Sequence, residues 1–359
     1  MARFHRLKVA EITRETADCV SVVFDVPANV KEEFKYIQGQ YLTLKLTVNG
    51  EELRRSYSLC TSPVADRELR VAVKKVKDGR ASTFINDSLK AGDEMDVMTP
   101  MGNFHSPLSP TNKKNYVLFA GGSGITPMLS IIKTVLQSEP ESKIILFYGN
   151  RDEAAIIFKK QLDTLAAANT ERLKVHHILE HCGEDVDELC RGILMPDKVK
   201  SLVAKHVNLN ADNMFFICGP GPMMENVKVV LADLKVDVKK ILIEYFTAVE
   251  AAVKAAEEQS AVKEIIQSKV TVILDGEEVE FDLASNGKPI LNVALDAGMD
   301  VPFACQGGVC CTCRAKLMEG KVTMDHNFAL SQEELDNGYI LTCQSHPVTE
   351  KVVVDFDQP

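Results

Sequence analysis

Four cysteines crowd into nine residues, 305–313, within the stretch ACQGGVCCTC. Three of them, Cys305, Cys310 and Cys313, follow the spacing C-x4-C-x2-C, and Cys343 stands alone further on. That spacing is the ligand pattern of one class of [2Fe–2S] centre. A loop that offers three thiolates to one inorganic core, with a fourth from a distant position, is compatible with few folds. Gly307 and Gly308 let backbone N–H groups approach the sulfurs, and such hydrogen bonds tune the potential. Cys311 falls off the spacing and is read as a non-ligand. Structural zinc is the competing reading, but zinc sites usually show two short ligand pairs, and no second pair lies here. Cys305, Cys310, Cys313 and Cys343 are the expected ligands of one cluster, which carries one electron at a time.

The other cysteines bear on compartment. There are ten in all, and the start, MARFHRLKVAEIT, has no apolar core of a signal peptide. Clustered cysteines in a reducing compartment are more often ligands or redox groups than disulfides, so the expected location is the cytoplasm. No apolar run reaches the ~20 residues that span a bilayer. The 359 residues exceed one core, and two or three domains are expected. The net charge of −10 is unevenly placed: residues 268–359 hold 15 acidic and 6 basic side chains, against 36 and 35 in the rest. So acidic a segment excludes nucleic acid as a partner. It suits a protein partner with a basic docking face.

Along the chain the rhythm changes twice. Residues 1–110 alternate in short runs such as CVSVVFDV and QYLTLKLTV, split by turn signals, as in an antiparallel barrel or sandwich. From 111 to 247, strand-like YVLFAGG, SKIILFYGN and NMFFICGP alternate with helix-like ITPMLSIIKTVLQS and MPDKVKSLVAKHV. That alternation means a parallel α/β sheet. Residues 248–267, rich in Ala, Glu and Lys, read as a linker. Residues 268–359 form a short strand-rich domain that carries the cysteines.

Three further stretches carry chemistry. FAGGSGITP (119–127) ends a strand and opens a helix, where glycines let a pyrophosphate approach the helix N-terminus. YGNR ends the next strand; Arg151 there can pair with a 2′-phosphate and favour NADPH, whereas Asp152 beside it argues for NADH. FICGPGPMM places Cys218 at the carboxyl edge of the sheet, where its thiol can lie beside a nicotinamide or simply fill a small buried space. In LRRSYSL (53–59), Arg55, Tyr57 and Ser58 offer a guanidinium for phosphate, an aromatic cover and a hydroxyl for a flavin edge.

Taken in order, RSYS, GRAS (79–82), GGSGITP, YGNR, CGPGPMM and EYF (244–246) resemble the ferredoxin–NADP reductase superfamily. The C-terminal cysteine segment resembles a plant-type ferredoxin. The resemblance implies a flavin-binding antiparallel β-barrel, a parallel α/β nucleotide-binding domain and a C-terminal β-grasp ferredoxin domain. EELRRSYSL, YGNR, GYILTCQ and VVVDFD are similar to the phenylacetyl-CoA epoxidase reductase family. That likeness implies FAD, an NADPH-type donor (NADH being the alternative), one [2Fe–2S] cluster and a di-iron oxygenase partner in phenylacetate breakdown. Reductases of ring- or steroid-hydroxylating oxygenases are the nearby alternative, and a zinc-stapled binding protein without enzymatic activity the distant one.

The resemblance also assigns roles. Arg55, Ser56, Tyr57 and Ser58 would contact the flavin ring and phosphate, Val73 and Lys74 would border it, and Gly79 and Ser82 would hold the pyrophosphate. Gly122, Gly124 and Thr126 would line the nicotinamide nucleotide site, and Arg151 would contact the adenosine phosphate. Cys218 and Gly219 would lie near the hydride path and Phe246 near the flavin; of these residues Cys218, Thr126 and Phe246 are the expected participants in hydride transfer. Two departures stand out. Cys311 occupies a place where a small non-thiol residue is expected, which invites oxidation. Tyr245 stands where a basic residue is frequent.

Overall fold

The computed structural model describes residues 3–247 and 265–358. The linker expected at 248–267 lies, up to residue 264, outside the described residues. Three large sheets and one two-stranded sheet, formed by residues 322–324 and 345–347, account for the strands of the rest.

The first sheet joins β1 (Phe4–Thr16), β2 (Cys19–Asp25), β3 (Tyr41–Val48), β4 (Glu51–Ser58), β5 (Leu69–Lys74) and β6 (Glu94–Met98). Every pairing is antiparallel, in the order β4-β3-β6-β1-β2-β5. The two ends of that order meet where Leu59 bridges Val71, so the sheet curls into a barrel. Alternation explains the interior: Leu42, Leu44, Val71 and Val73 fill the core and Ile85 of α1 (Arg80–Asp87) plugs it. β2 breaks the alternation, being buried on both faces. Its outward Cys19 belongs, with Cys60, Ala72 and Phe104, to the core of the next unit.

That unit is a parallel sheet of β7 (Asn115–Gly121), β8 (Lys143–Asn150), β9 (Leu173–Leu179), β10 (Asn213–Cys218) and β11 (Ile241–Glu244), in the order β11-β10-β7-β8-β9. Its near-continuous apolar strands are those of a sheet covered on both faces. Between β7 and β8 runs α2 (Ile125–Ser138), which is buried along most of its length because it is wedged between sheet and barrel. Its last carbonyls have no helical partners. Arg172 supplies donors to Val135, Leu136 and Glu139 carbonyl oxygens. Glu139 itself is fully buried and accepts from Ser109 N, Asn112 Nδ2, Tyr116 Oη and Ser142 Oγ at 2.5–3.1 Å. The sheet is completed by α3 (Lys159–Ala168), α4 (Pro196–His206) and α5 (Gly221–Asp233).

The C-terminal unit begins one residue before the expected boundary. β12 (Gln267–Leu274) pairs with β13 (Glu277–Ala284) through the Asp275-Gly276 turn, both residues at positive φ. After α6 (Ile290–Asp296) come the cysteine loop and β14 (Arg314–Glu319). They are followed by β15 (Val322–Met324), α7 (Gln332–Asp336), β16 (Tyr339–Leu341), β17 (Ser345–Pro347) and β18 (Lys351–Asp355). The main sheet has the order β13-β12-β18-β14-β16, with β12 and β18 parallel. No helix among the described residues is long and apolar enough to cross a membrane.

Candidate functional site

The two glycine loops meet at the carboxyl edge of the parallel sheet, where ligands of such sheets bind. β7 and β10 are neighbours, so the loops that follow them lie side by side. A Cβ on Gly124 would stand 2.1 Å from the Cys218 carbonyl oxygen, and one on Gly219 would stand 2.9 Å from Gly121 N. Both positions therefore require glycine. Gly122 adopts φ +51 and its carbonyl accepts from Tyr148 Oη at 3.0 Å. Thr126 is buried at the start of α2 and donates its hydroxyl to Ser123 O at 3.0 Å. It shapes the turn, and its hydroxyl is already engaged. Arg151 is 64% exposed and pairs with Asp152 at 2.9 Å, while Asp152 also accepts from Ala155 N.

Cys218 closes β10 and is fully buried. Burial pushes its thiol up, and the Glu244 carboxylate beside it adds to the push. Glu244 ends β11 and accepts a hydrogen bond from Ser58 Oγ at 2.9 Å. Desolvation raises the Glu244 carboxyl to about 8, although part of the residue is accessible. Ser58 belongs to the barrel, so this bond joins the RSYS strand to the sheet edge. In the sequence Glu244 is only the first letter of EYF, and its carboxyl is not among the expected site residues. Phe246, just beyond, is 41% exposed.

Around the barrel's RSYS strand two of the expected side chains are already engaged. The Val73 side chain points into the barrel core and is fully buried. Alternation on β5 sends it away from the groove that Lys74 faces. Ser82 Oγ is spent inside the GRAS turn, donating to Gly79 O and accepting from Val76 N, both at 3.1 Å. Only the backbone of that turn is left for a pyrophosphate. Gly79 caps α1, and a Cβ there would stand 2.6 Å from Ser82 Oγ. Lys74 Nζ lies 3.7 Å from Asp18 and from the position of a Cβ on Gly122, so it spans barrel and glycine loop. Arg55 is exposed and donates to the Arg54 carbonyl; Tyr57 is half-buried.

The cysteine loop gathers four thiols. Cys310 and Cys305 sulfurs stand 3.1 Å apart, and Cys343 reaches both Cys305 and Cys313. Hydrogen bonds from Cys310 and then Cys343 push Cys305 down, and the same bonds push Cys310 and Cys343 up. Gly307 N donates to Cys305 Sγ at 3.4 Å and Gln344 Nε2 to Cys343 Sγ at 3.6 Å. The sulfurs touch one another as thiols, and among the described residues no three His, Cys, Asp or Glu groups enclose a single ion. A four-thiol set with backbone donors nonetheless fits the chemistry of a two-iron cluster. Cys311 turns away toward Ala329 O and Asn103 Nδ2. It is buried, and burial pushes its thiol up, so the expected oxidation is disfavoured.

This loop does not float free of the rest. Cys311 N donates to Tyr41 Oη of the barrel at 3.0 Å. Arg54 pairs with Asp300 at 3.0 Å and covers the Phe303 ring at 4.2 Å. Asn103 donates to Glu334 at 2.7 Å, and Tyr245 meets Phe328 with ring centroids 5.1 Å apart.

Comparison with known proteins agrees with this layout. An oxidoreductase FAD-binding domain model matches residues 6–106, an oxidoreductase NAD-binding domain model residues 118–229, and a 2Fe-2S iron-sulfur cluster binding domain model residues 272–348. The chain is 40% identical over 357 residues, 99% of each chain, to one of the subunits of 1,2-phenylacetyl-CoA epoxidase from Escherichia coli K12. It is 36% identical over 359 residues to the ferredoxin reductase component of 3-ketosteroid-9-alpha-monooxygenase from Mycobacterium tuberculosis, covering 98% of this chain and 96% of that one. In fold it resembles phthalate dioxygenase reductase, with a TM-score of 0.58, 24% identity and 98% of both chains covered. It also resembles part of a type IV self-sufficient cytochrome P450 monooxygenase, with a TM-score of 0.70, 20% identity, and coverage of 98% of this chain and 41% of that one.

Proposed function

The chain belongs to the ferredoxin–NADP reductase superfamily, in the branch that carries a C-terminal [2Fe–2S] domain, and on that premise we propose that it is the reductase component of an oxygenase. Its cofactors are FAD, one [2Fe–2S] cluster and a nicotinamide nucleotide. The proposed route runs from NADPH to FAD to the cluster to the oxygenase. A bound flavin supplies the change from two-electron to one-electron chemistry. The observation that carries the reading is convergence. Ser58 meets Glu244, the strand neighbour of Cys218, at the sheet edge, while Tyr41, the cross-strand partner of Ser58, meets the cysteine loop.

The chain's own residues then have assignable tasks. Residues 1–110 would hold FAD, with Arg55 and the backbone of the GRAS turn on its phosphates and Tyr57 on its ring. Residues 111–247 would hold the nicotinamide nucleotide, with Gly122 and Gly124 giving it room and Arg151 at its adenosine end. Ser58 Oγ and the Glu244 carboxyl hold a proton at the junction, and Phe246 would lie near the flavin. Cys305, Cys310, Cys313 and Cys343 of the unit 268–359 would bind the cluster, and 248–267 would tether that unit. The proposed partner is a di-iron oxygenase, phenylacetyl-CoA epoxidase, met through a basic docking face. The 40% identity over the whole chain favours it. A steroid-hydroxylating oxygenase is the second reading, favoured by the 36% relative. The cytoplasm, where thiols persist reduced, is the proposed location.

Anaerobic absorbance spectra of the cofactor-loaded protein test the route. Overlapping flavin and iron–sulfur bands that bleach with NADPH support it, and failure to bleach after reconstitution with FAD, iron and sulfide overturns it. Supplying epoxidase and steroid oxygenase in turn then decides the partner.

A further inference from the structure

Tyr41 lies outside every motif that points to a cofactor, yet it joins the barrel to the cysteine loop by a hydrogen bond from the loop's backbone. It is 6% exposed and packs against Ala304 and Cys310. Its Oη accepts from Cys311 N at 3.0 Å and lies 3.3 Å from Thr312 Oγ1. Thr312 Oγ1 is also 3.3 Å from Thr43 Oγ1, and Thr43 Oγ1 is 3.2 Å from Ser56 Oγ. Thr43 and Thr312 are both buried. A continuous line of hydroxyls therefore runs from Ser56, inside RSYS, to an amide between two cluster ligands. Strand register makes this possible: Tyr41 faces Ser58 and Thr43 faces Ser56 across β3 and β4. Buried polar lines of this kind rigidify when fully satisfied. A phenol, with an apolar body and a polar tip, suits such a junction.

We propose that Tyr41 is a positioning residue for flavin-to-cluster electron passage. Its phenol oxygen holds the Cys311 amide and the Thr312 hydroxyl, so that whenever the two units are docked the RSYS strand and the cluster loop keep one spacing. The step itself moves one electron: the flavin is oxidised by one, the cluster is reduced by one, and no atom is transferred. Because hydrogen bonds and solvent access around the sulfurs set a cluster's potential, the same contact also ties that potential to docking. The inference rests on the electron-transfer reading above.

The test uses the full, cofactor-loaded chain carrying Tyr41→Phe, which keeps the ring and removes the oxygen. Three readouts apply: hydrogen exchange at the Cys311 amide, the cluster midpoint potential followed by electron paramagnetic resonance, and anaerobic stopped-flow with NADPH. Exchange at Cys311 is expected to accelerate about fivefold, the size of one buried hydrogen bond. The potential is expected to shift, and cluster reduction to slow several-fold while flavin bleaching keeps its rate. Thr312→Val is expected to give the same pattern more weakly, and Thr312→Ser to restore it. Wild-type exchange, potential and cluster reduction in Tyr41→Phe would overturn the proposal. So would indistinguishable Thr312→Val and Thr312→Ser proteins. A failure of the wild type to bleach with NADPH would instead strike the electron-transfer reading, and the amide-exchange result would still decide whether Tyr41 holds the loop.

Discussion

The barrel has two neighbours and treats them differently. Toward the parallel sheet it shares a core: Cys19, Cys60, Ala72 and Phe104 join the apolar residues of α2 in one cluster. Ser130 Oγ donates to Thr61 O and Thr134 Oγ1 to Ser62 Oγ within that seam, and Lys133 pairs with Asp66. Toward the cysteine unit the shared apolar group is small: Tyr41, Ala304 and Cys310, with Met101 and Cys305 against them. The rest is polar, namely Arg54 with Asp300, Asn103 with Glu334, and the hydroxyl line through Thr312. Apolar burial is not undone by salt, whereas exposed ion pairs are worth little and are screened. The first seam is thus built as one folding body and the second as a contact that can part.

Breaking the first seam gives the largest expected effect. Ile131 is buried in α2, with its Cδ1 near Gly39 of the barrel. Ile131→Ala should cost about 2–5 kcal/mol, seen in urea unfolding as one transition that removes barrel and sheet together. Separate transitions would show that the seam is not a common core. Gly124→Ala comes next, since its Cβ would collide with the Cys218 carbonyl. Binding of NADP+ should weaken about tenfold or more, roughly 1.4 kcal/mol, measured by calorimetry.

The Ser58–Glu244 bond sharpens the same comparison through pH. Folding raises the Glu244 carboxyl from 4.5 to about 8. Below pH 4.5 folded and unfolded chains both carry the proton. Between about 4.5 and 8 only the folded chain keeps it, so stability falls as pH rises through that window and levels above it. Glu244→Gln should flatten the slope of Tm over that window; an unchanged slope would mean the carboxyl is not held neutral. The smallest effect on stability is expected at the second seam. Asp300→Ala should cost under about 1 kcal/mol in global unfolding, because Asp300 is exposed and Arg54 keeps its pair with Glu52. Small-angle scattering should nevertheless show a larger particle, and raised salt should mimic the change in the wild type. A compact Asp300→Ala protein at high salt would remove the distinction between the seams.

What the sequence made legible follows the range of the forces involved. Alternation and glycine loops are local, so the antiparallel run of 1–110, the parallel sheet and the cysteine loop could all be read from periodicity and spacing. Tyr41 could not, because its partners Cys311 and Thr312 are 270 residues and more away and a lone tyrosine on an alternating strand looks like core. Glu139 and Arg172 escaped for the same reason: charged residues near helix-like segments read as a solvated face until the fold shows Glu139 buried and Arg172 bonded to backbone carbonyls. Val73 and Ser82 show the opposite case. Their motifs were in the expected places, but strand alternation and a turn hydrogen bond had already committed the side chains.

The order of strands in the C-terminal sheet has a consequence for how the protein is made. β18 is the last strand of that unit to leave the ribosome, yet it lies between β12 and β14. A nascent chain that has already emitted all four proposed ligand cysteines still lacks the middle of the sheet that shapes their loop. On that proposed ligand set, a chain truncated before Lys351 is expected to present its thiols without the fold that would retain a cluster.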